Sequence, residues 1–211
     1  MELKGKKIAF LGDSITEMPI GDDHRYVHYF EELSGATTYN FGVCATRIAT
    51  RLIPHEQPSW NDSFLLRAER MTDDYDVIVV FGGTNDYARP NPTPLGDFTS
   101  EDEHTFYGAL KLLYAKLIKA HPNATVVAVT PLHRNAEKDY GIEGFELLDY
   151  VKAVREVASW YSIPVIDLWN TAGIQAIDKD VMAVYLKDGL HPNPTGAKRI
   201  ADRIYNFLKA L

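Results

Sequence analysis

Hydrophobic residues in this chain follow two patterns: short runs, and longer stretches in which they repeat every three or four positions. Short runs of apolar and β-branched residues are typical of strands inside a parallel sheet, whereas the longer repeat is typical of helices with one buried face. The first pattern predicts five strands, at residues 8–11, 37–41, 77–81, 125–130 and 165–167.

The second pattern predicts four long helices, at about residues 24–33, 103–119 and 145–161 and from Pro194 towards the last residue. Strands that alternate with helices of ten or more residues form parallel sheets with right-handed crossovers. We therefore predict an α/β fold, a three-layer α/β/α sandwich around a five-stranded parallel sheet. No repeat or linker divides the chain, so a single domain of residues 1–211 is expected.

Residues 45–70 give a less regular pattern, because Pro54 and Pro58 interrupt it. A short helix followed by a second one from Ser59 is expected here, since proline ends a helix more readily than it continues one. The second helix would bury Trp60, Phe64 and Leu65.

Composition narrows the class of protein. The chain has 211 residues, of which 45% are hydrophobic and 24% charged, which is ordinary for a soluble domain. A net charge of −7 argues against nucleic acid or an anionic membrane as partner. The single cysteine, Cys44, excludes an internal disulfide, and no apolar run approaches the length of a membrane span. A cytoplasmic protein is expected, and homo-oligomerisation stays open.

Polar or glycine residues follow three of the predicted strands. Ser14 comes after the first, Gly42 after the second and Asn85 after the third. Because the carboxyl ends of parallel strands meet at one edge of a sheet, these residues should converge where open α/β sheets bind ligands. Ser14 alone would be interpreted as a helix cap, since serine is common at that position.

A histidine near the end of the chain changes that interpretation. His191 follows Asp188 by three residues, and Gly189 between them permits the bend that lets the carboxylate reach one imidazole nitrogen. The second nitrogen would then be held in a fixed tautomer and face outward.

Together these residues predict an acyl-transfer site. A serine hydroxyl is a poor nucleophile unless a neighbouring base accepts its proton, and His191 is the candidate base for Ser14, oriented by Asp188. The tetrahedral intermediate requires donors for its oxyanion. We expect them to be the backbone N–H groups of Ser14 and Gly42 and the side-chain amide of Asn85. This chemistry uses no metal or organic cofactor, and none is expected.

Four blocks of the sequence, in this order, resemble the SGNH hydrolase superfamily, also called GDSL-like esterases and lipases. The blocks are Gly12-Asp13-Ser14, Asn40-Phe41-Gly42, Gly82-Gly83-Thr84-Asn85-Asp86 and Asp188-Gly189-Leu190-His191-Pro192. The resemblance spans nearly the whole chain and implies a flavodoxin-like fold. It also implies a catalytic triad of Ser14, His191 and Asp188, with Gly42 and Asn85 in the oxyanion hole.

The second block departs from the family pattern. Many members have a further glycine there, whereas this chain continues Gly42-Val43-Cys44-Ala45. Since alanine is small, little effect on the oxyanion site is expected, although the turn itself can differ. Asp13 and Asp86 are expected to accept backbone N–H groups rather than to take part in chemistry.

Other residues compete for these roles. Asp167 also ends a strand and is a rival triad acid, and Cys44 is a rival nucleophile, although a lone cysteine is more often a small buried apolar residue. His24 and His28 have a metal-binding spacing but no third ligand nearby, so no metal site is expected.

Aromatic residues and histidines in the predicted loops are candidates for the wall of a substrate pocket; they are Trp60, Tyr87, Phe98, His104 and His133. Which of them line the pocket is left open by the sequence. Arg47 can either meet an anionic substrate or form a surface ion pair.

The function expected from these residues is hydrolysis of carboxylic esters through an acyl-enzyme on Ser14. The substrate would be a small-molecule ester, with acetyl esters of sugars or of small alcohols favoured because no long apolar lid indicates lipid. Alternatives are a lysophospholipase, a thioesterase or an acyltransferase on the same scaffold, or a carbohydrate-binding protein without turnover.

Overall fold

A computed structural model describes residues 1–17, 25–88, 91–138, 144–175 and 178–211. Its central sheet has five strands, all parallel, in the order β2-β1-β3-β4-β5. The strands are β1 (Lys7–Gly12), β2 (Thr37–Gly42), β3 (Val77–Phe81), β4 (Thr125–Val129) and β5 (Val165–Ile166). This order is that of flavodoxin-like sheets, so the predicted fold class is confirmed.

Helices flank both faces of the sheet. The longer ones are α2 (Tyr26–Ser34), α5 (Phe106–Ala120), α6 (Leu147–Trp160) and α9 (Pro194–Ala210). The shorter ones are α1 (Ser14–Glu17), α3 (Phe64–Ala68), α4 (Thr84–Tyr87), α7 (Leu168–Thr171) and α8 (Lys179–Tyr185). Of these, α3, α5 and α6 pack on one face of the sheet, whereas α2 and α9 pack on the other.

Side-chain alternation along the strands divides the core into two halves. In β1, Ala9 and Leu11 belong to the cluster under α3, α5 and α6, whereas Ile8 and Phe10 belong to the cluster under α2 and α9. Because both faces are covered, the central strands β1, β3 and β4 are apolar at every buried position, which explains why short uninterrupted runs mark them in the sequence.

The predicted helix within residues 45–57 is wrong. That segment, which the structure describes throughout, forms turns and bends, and a 3₁₀ turn at Pro58–Asn61 precedes α3. The prolines and the extended backbone that each imposes on its predecessor explain the difference. Phe64 and Leu65 are buried as predicted, but Trp60 is only half-buried.

Helix α2 begins at Tyr26, so the predicted start at His24 lies outside the described residues. Within the described ranges, no helix combines the length and apolar character that a membrane crossing requires.

The topology also fixes where a site can form. Strand order reverses between β1 and β3, since β1 connects outward to β2 and β3 continues to β4 on the opposite side. Open α/β sheets bind ligands beyond the carboxyl ends of the strands at this reversal. Ser14 follows β1 there, and Asn85 follows β3.

Candidate active site

Ser14 is the first residue of α1 and lies two residues beyond β1. The preceding Asp13 holds this corner, because its Oδ1 accepts the N–H of Ile15 at 2.9 Å and its carbonyl accepts the N–H groups of Thr16 and Glu17. As predicted, Asp13 therefore bonds backbone groups. The corner keeps Ser14 fixed and buried at the sheet edge.

The Ser14 hydroxyl and the His191 imidazole meet, although 177 positions separate them in the sequence. Oγ of Ser14 lies 2.9 Å from Nε2 of His191. On the other side of the ring, Nδ1 lies 2.7 Å from Oδ2 of Asp188. The three side chains thus form one continuous hydrogen-bonded chain.

The loop that carries Asp188 and His191 is tightly held. Oδ1 of Asp188 accepts the backbone N–H of His191 at 2.7 Å and that of Leu190 at 3.0 Å. Gly189 has a φ of 81°, a left-handed conformation that suits glycine, and a Cβ there would lie 2.7 Å from Nδ2 of Asn135.

These contacts also set the charge of Asp188. Burial opposes its ionisation, but the three hydrogen bonds from His191 and Leu190 outweigh burial and hold the pKa of the carboxyl below its usual value. Asp188 is therefore ionised at neutral pH, where it favours the tautomer of His191 that carries hydrogen on Nδ1 and leaves Nε2 free to accept.

The rival acid, Asp167, is used elsewhere. It caps α7, and its carboxylate accepts hydrogen bonds from Arg155 at 2.9 Å and from the side chain of Asn170 at 2.8 Å. Burial raises its pKa, but these partners outweigh burial and lower it overall. Its role is thus to fix α7 against α6.

Asn85 lies in the first turn of α4, directly after β3. Its Nδ2 donates to the backbone carbonyl of Thr46 at 3.0 Å, which leaves the second amide hydrogen for another acceptor. The next residue, Asp86, is fully buried and accepts the N–H groups of Ile48 and Ala49, as predicted. Both side chains therefore anchor the segment after β2 to α4.

Gly42 does not present a free donor in this structure. Its N–H donates to Oδ1 of Asn40 at 2.8 Å. A Cβ on Gly42 would come within 2.3 Å of the backbone nitrogen of Glu17. A glycine is therefore needed here so that β2 can pack closely against α1. Because its N–H is bonded to Asn40, the expectation that Gly42 is an oxyanion donor needs correction.

Ala45, three residues beyond Gly42, has an unusual backbone conformation. It has a φ of 59°, a left-handed conformation that costs an alanine about 1–2 kcal/mol. The side chain of Asn85 bonds to the carbonyl of the next residue, Thr46, and Ala45 and Asn85 line the same cleft. Within the described parts of the chain, no acceptor takes the N–H of Ala45.

Arg67 connects the two backbone segments of the site. It is a buried residue of α3, and its guanidinium donates to the carbonyl of Gly12 at 2.7 Å and to Oγ1 of Thr46 at 2.9 Å. Its charge also acts on Asp13: burial raises the pKa of that carboxyl to about 7, against the opposing effects of the Ile15 N–H and Arg67. Arg67 thus holds the end of β1 against the turn of Ala45.

A cleft of about 450 Å³ opens beside Asn85. Of the residues expected at a pocket wall, Trp60 and His104 line it. The other three do not: Tyr87 is buried in the core, Phe98 packs against Trp160, and His133 stacks on Trp169.

Arg47 and Arg51 also line the cleft. Arg51 was missed because nothing in the sequence distinguishes it from a surface arginine.

Cys44 is exposed, so the expectation that it is buried is wrong. Partial burial, together with the negative charges of Glu17 and Asp13, raises the pKa of its thiol. Such a thiol carries little thiolate at neutral pH, which disfavours it as a nucleophile.

The described ranges contain no group of three or more His, Cys, Asp or Glu side chains able to hold a metal ion. His28 is on α2, whereas His24 lies outside the described residues.

The chain is similar to known proteins in sequence and in fold. The sequence model of the GDSL-like lipase/acylhydrolase family matches residues 10–199. An acetylxylan esterase of Xylanibacter ruminicola is 27% identical over 96% of this chain, but the chain spans only 43% of that protein's length.

Solved structures share the fold. A protein of Lactobacillus plantarum is 29% identical and superimposes with a TM-score of 0.86, over 99% of this chain and 98% of its own. A lipase/acylhydrolase of Enterococcus faecalis is 19% identical with a TM-score of 0.65, over 97% of this chain and 96% of its own.

Proposed function

Because the chain belongs to the GDSL-like lipase/acylhydrolase family, we propose that it hydrolyses carboxylic esters through an acyl-enzyme on Ser14. Family membership supports the coarser statement, that the chain acts on ester bonds. The observation that carries the finer statement is the chain of contacts from Oγ of Ser14 through His191 to Asp188, at 2.9 and 2.7 Å.

In the first half of the reaction, Oγ of Ser14 attacks the ester carbon while Nε2 of His191 accepts the hydroxyl proton. The imidazolium that forms is stabilised by ionised Asp188. When the tetrahedral intermediate collapses, the carbon–oxygen bond to the alcohol breaks and His191 returns the proton to the departing alcohol.

In the second half, water takes the place of the alcohol. His191 accepts a proton from the water as its oxygen attacks the acyl carbon, and it then returns that proton to Oγ of Ser14 as the carboxylic acid leaves. Each half passes through an oxyanion that needs donors already in place.

We assign the oxyanion donors to the backbone N–H groups of Ser14 and Ala45 and the free amide hydrogen of Asn85. This replaces Gly42, whose N–H is occupied by Asn40. The left-handed backbone of Ala45 supports the assignment, because strained residues persist where a site requires a particular orientation of the backbone.

The proposed substrates are short-acyl esters, with acetyl esters of sugars or of small alcohols first. The acetylxylan esterase relative supports this choice, although it is much longer than the present chain. Trp60 supports it as well, since its ring lies in the cleft with the imidazole of His55 at a centroid distance of 4.3 Å and presents a flat aromatic surface to a ligand.

A panel of p-nitrophenyl esters from acetyl to palmitoyl, measured beside acetylated sugars, tests this preference. We expect kcat/KM to be highest for acetyl and to fall as the acyl chain lengthens, and acetylated sugars to be hydrolysed. A maximum at palmitoyl would contradict the short-acyl proposal, and no turnover of any ester would contradict esterase activity itself. Adding an acceptor alcohol and measuring transfer product separates an acyltransferase from a hydrolase.

A further inference from the structure

The cleft beside Asn85 differs in charge from the rest of the molecule. The chain carries a net charge of −7, yet two arginines, Arg47 and Arg51, line the cleft. Among the described residues, no aspartate or glutamate contributes to its wall. A cationic cleft in an acidic protein attracts anions and repels cations.

Arg51 is the cation of greatest interest. Its Nε donates to the carbonyl of Trp60 and its Nη2 to the carbonyl of Ala45, both at 3.1 Å. Both acceptors are neutral, and within the described ranges no carboxylate forms an ion pair with this guanidinium. These bonds fix the orientation of Arg51 without neutralising its charge.

Arg47 is more buried than Arg51, and the negative charge of Asp86 acts on it. Burial lowers the pKa of Arg47, while the carboxylate of fully buried Asp86 opposes that effect. For Arg51, burial is the larger cause and the positive charge of Arg47 is the next, and together they lower the pKa of its guanidinium to about 10. Arg51 is still protonated at neutral pH, in surroundings that disfavour a cation, so a bound anion would relieve it.

The position of the cleft indicates which part of a substrate enters it. Asn85 and Ala45, the assigned oxyanion donors, belong to its wall, so it opens onto the reacting carbonyl. An acetyl group fills little of about 450 Å³, which leaves the cleft for the alcohol part of the ester.

We propose that the enzyme prefers esters whose alcohol part bears a carboxylate, and that Arg51 binds this carboxylate. The inference rests on the proposed function, because it concerns the substrate of the same site. A guanidinium held by two backbone carbonyls keeps a fixed donor edge, which suits the planar, two-oxygen geometry of a carboxylate.

Two acetyl esters that differ only in charge provide the test, 4-acetoxybenzoate and its neutral amide, 4-acetoxybenzamide. The readout is the ratio of their kcat/KM values, compared between the wild type and Arg51→Gln so that intrinsic reactivity cancels. We expect the variant to lower the ratio by about tenfold or more, the effect of a lost hydrogen bond to a charged group. Arg51→Lys should preserve part of the preference.

Arg203→Gln is the matched control, because it removes the same charge from an exposed position of α9, none of whose residues lines the cleft. Its ratio should equal that of the wild type. If Arg51→Gln does not fold, the wild-type ratio alone still decides, since added sodium chloride should reduce a preference that depends on charge.

A ratio unchanged by Arg51→Gln, or unaffected by salt in the wild type, would overturn the inference while leaving the esterase intact. Absence of turnover for both esters and for p-nitrophenyl acetate would instead reject the proposed function.

Discussion

The side-chain amide of Asn85 donates a 3.0 Å hydrogen bond to the backbone carbonyl of Thr46. This bond holds the first turn of α4 against the turn that follows β2. It also uses only one of the two amide hydrogens, so the other stays available for an oxyanion.

Replacing Asn85 with alanine should therefore lower kcat by about 10²–10³, the usual effect of losing one oxyanion donor, with little change in KM. The measurement is steady-state kinetics on p-nitrophenyl acetate. Asn85→Asp should be at least as impaired, because its carboxylate would repel the developing negative charge. A kcat near that of the wild type in both variants would show that Asn85 does not act on the transition state.

Gly42 and Ala45 should respond to substitution in opposite ways. Gly42→Ala would place a methyl group 2.3 Å from the backbone nitrogen of Glu17, and overpacking of this kind costs about 1–3 kcal/mol. Ala45→Gly removes the left-handed strain, so activity should be retained. Thermal unfolding and esterase assays of the two variants measure this difference.

The donor itself can be identified by NMR of the protein inactivated with a phosphonate, whose oxygen imitates the oxyanion. The amide resonance of Ala45 should shift downfield, whereas that of Gly42, which is bonded to Asn40, should move little. A large shift at Gly42 alone would restore the assignment expected from the sequence.

Asp188→Asn should lower kcat by about 10²–10⁴, because an amide favours the wrong tautomer of His191. Asp167→Asn is the matched control, since Asp167 pairs with Arg155 and Asn170 instead. This control should lose stability but keep most of its kcat. If Asp167→Asn lost kcat instead and Asp188→Asn kept it, Asp167 would be the acid of the triad.

Asp13 should make stability depend on pH. Its pKa is raised from an ordinary value of 3.8 to about 7 by burial, so between these values the native state holds a proton that the unfolded chain has lost. The contribution of Asp13 to the free energy of unfolding therefore decreases as the pH rises through that window, by about 1.4 kcal/mol for each pH unit.

Asp13→Asn removes the titration while keeping the oxygen that accepts the N–H of Ile15. The melting temperature of the variant relative to the wild type should thus increase from pH 5 to pH 8. A difference that does not vary with pH would show that Asp13 ionises normally.

Much of this molecule could be predicted from the sequence. The strand at Val77–Phe81 is predicted to the residue, because a strand covered on both faces is apolar throughout. Ser14, His191 and Asp188 could be brought together because parallel topology sends strand ends to one edge and because the spacing from Asp188 to His191 suits a bend at Gly189.

What could not be predicted depends on local geometry. The helices α1 and α4 have four residues each, which is too short for a periodic pattern. The proposal that Ala45 rather than Gly42 is the oxyanion donor depends on a hydrogen bond to Asn40 and on one positive φ angle, neither of which a residue type specifies. The wall of the cleft is formed by residues far apart in sequence, such as Arg51 and His104. The single-domain boundary stays a prediction.

The nucleophile is the central claim, and covalent labelling tests it most directly. The protein would be treated with a fluorophosphonate, digested, and the modified residue located by mass spectrometry. We predict one adduct, on the peptide that contains Ser14, and none in a folded His191→Ala variant over the same time. An adduct on another residue, or an unlabelled wild type that still hydrolyses p-nitrophenyl acetate, would contradict the account.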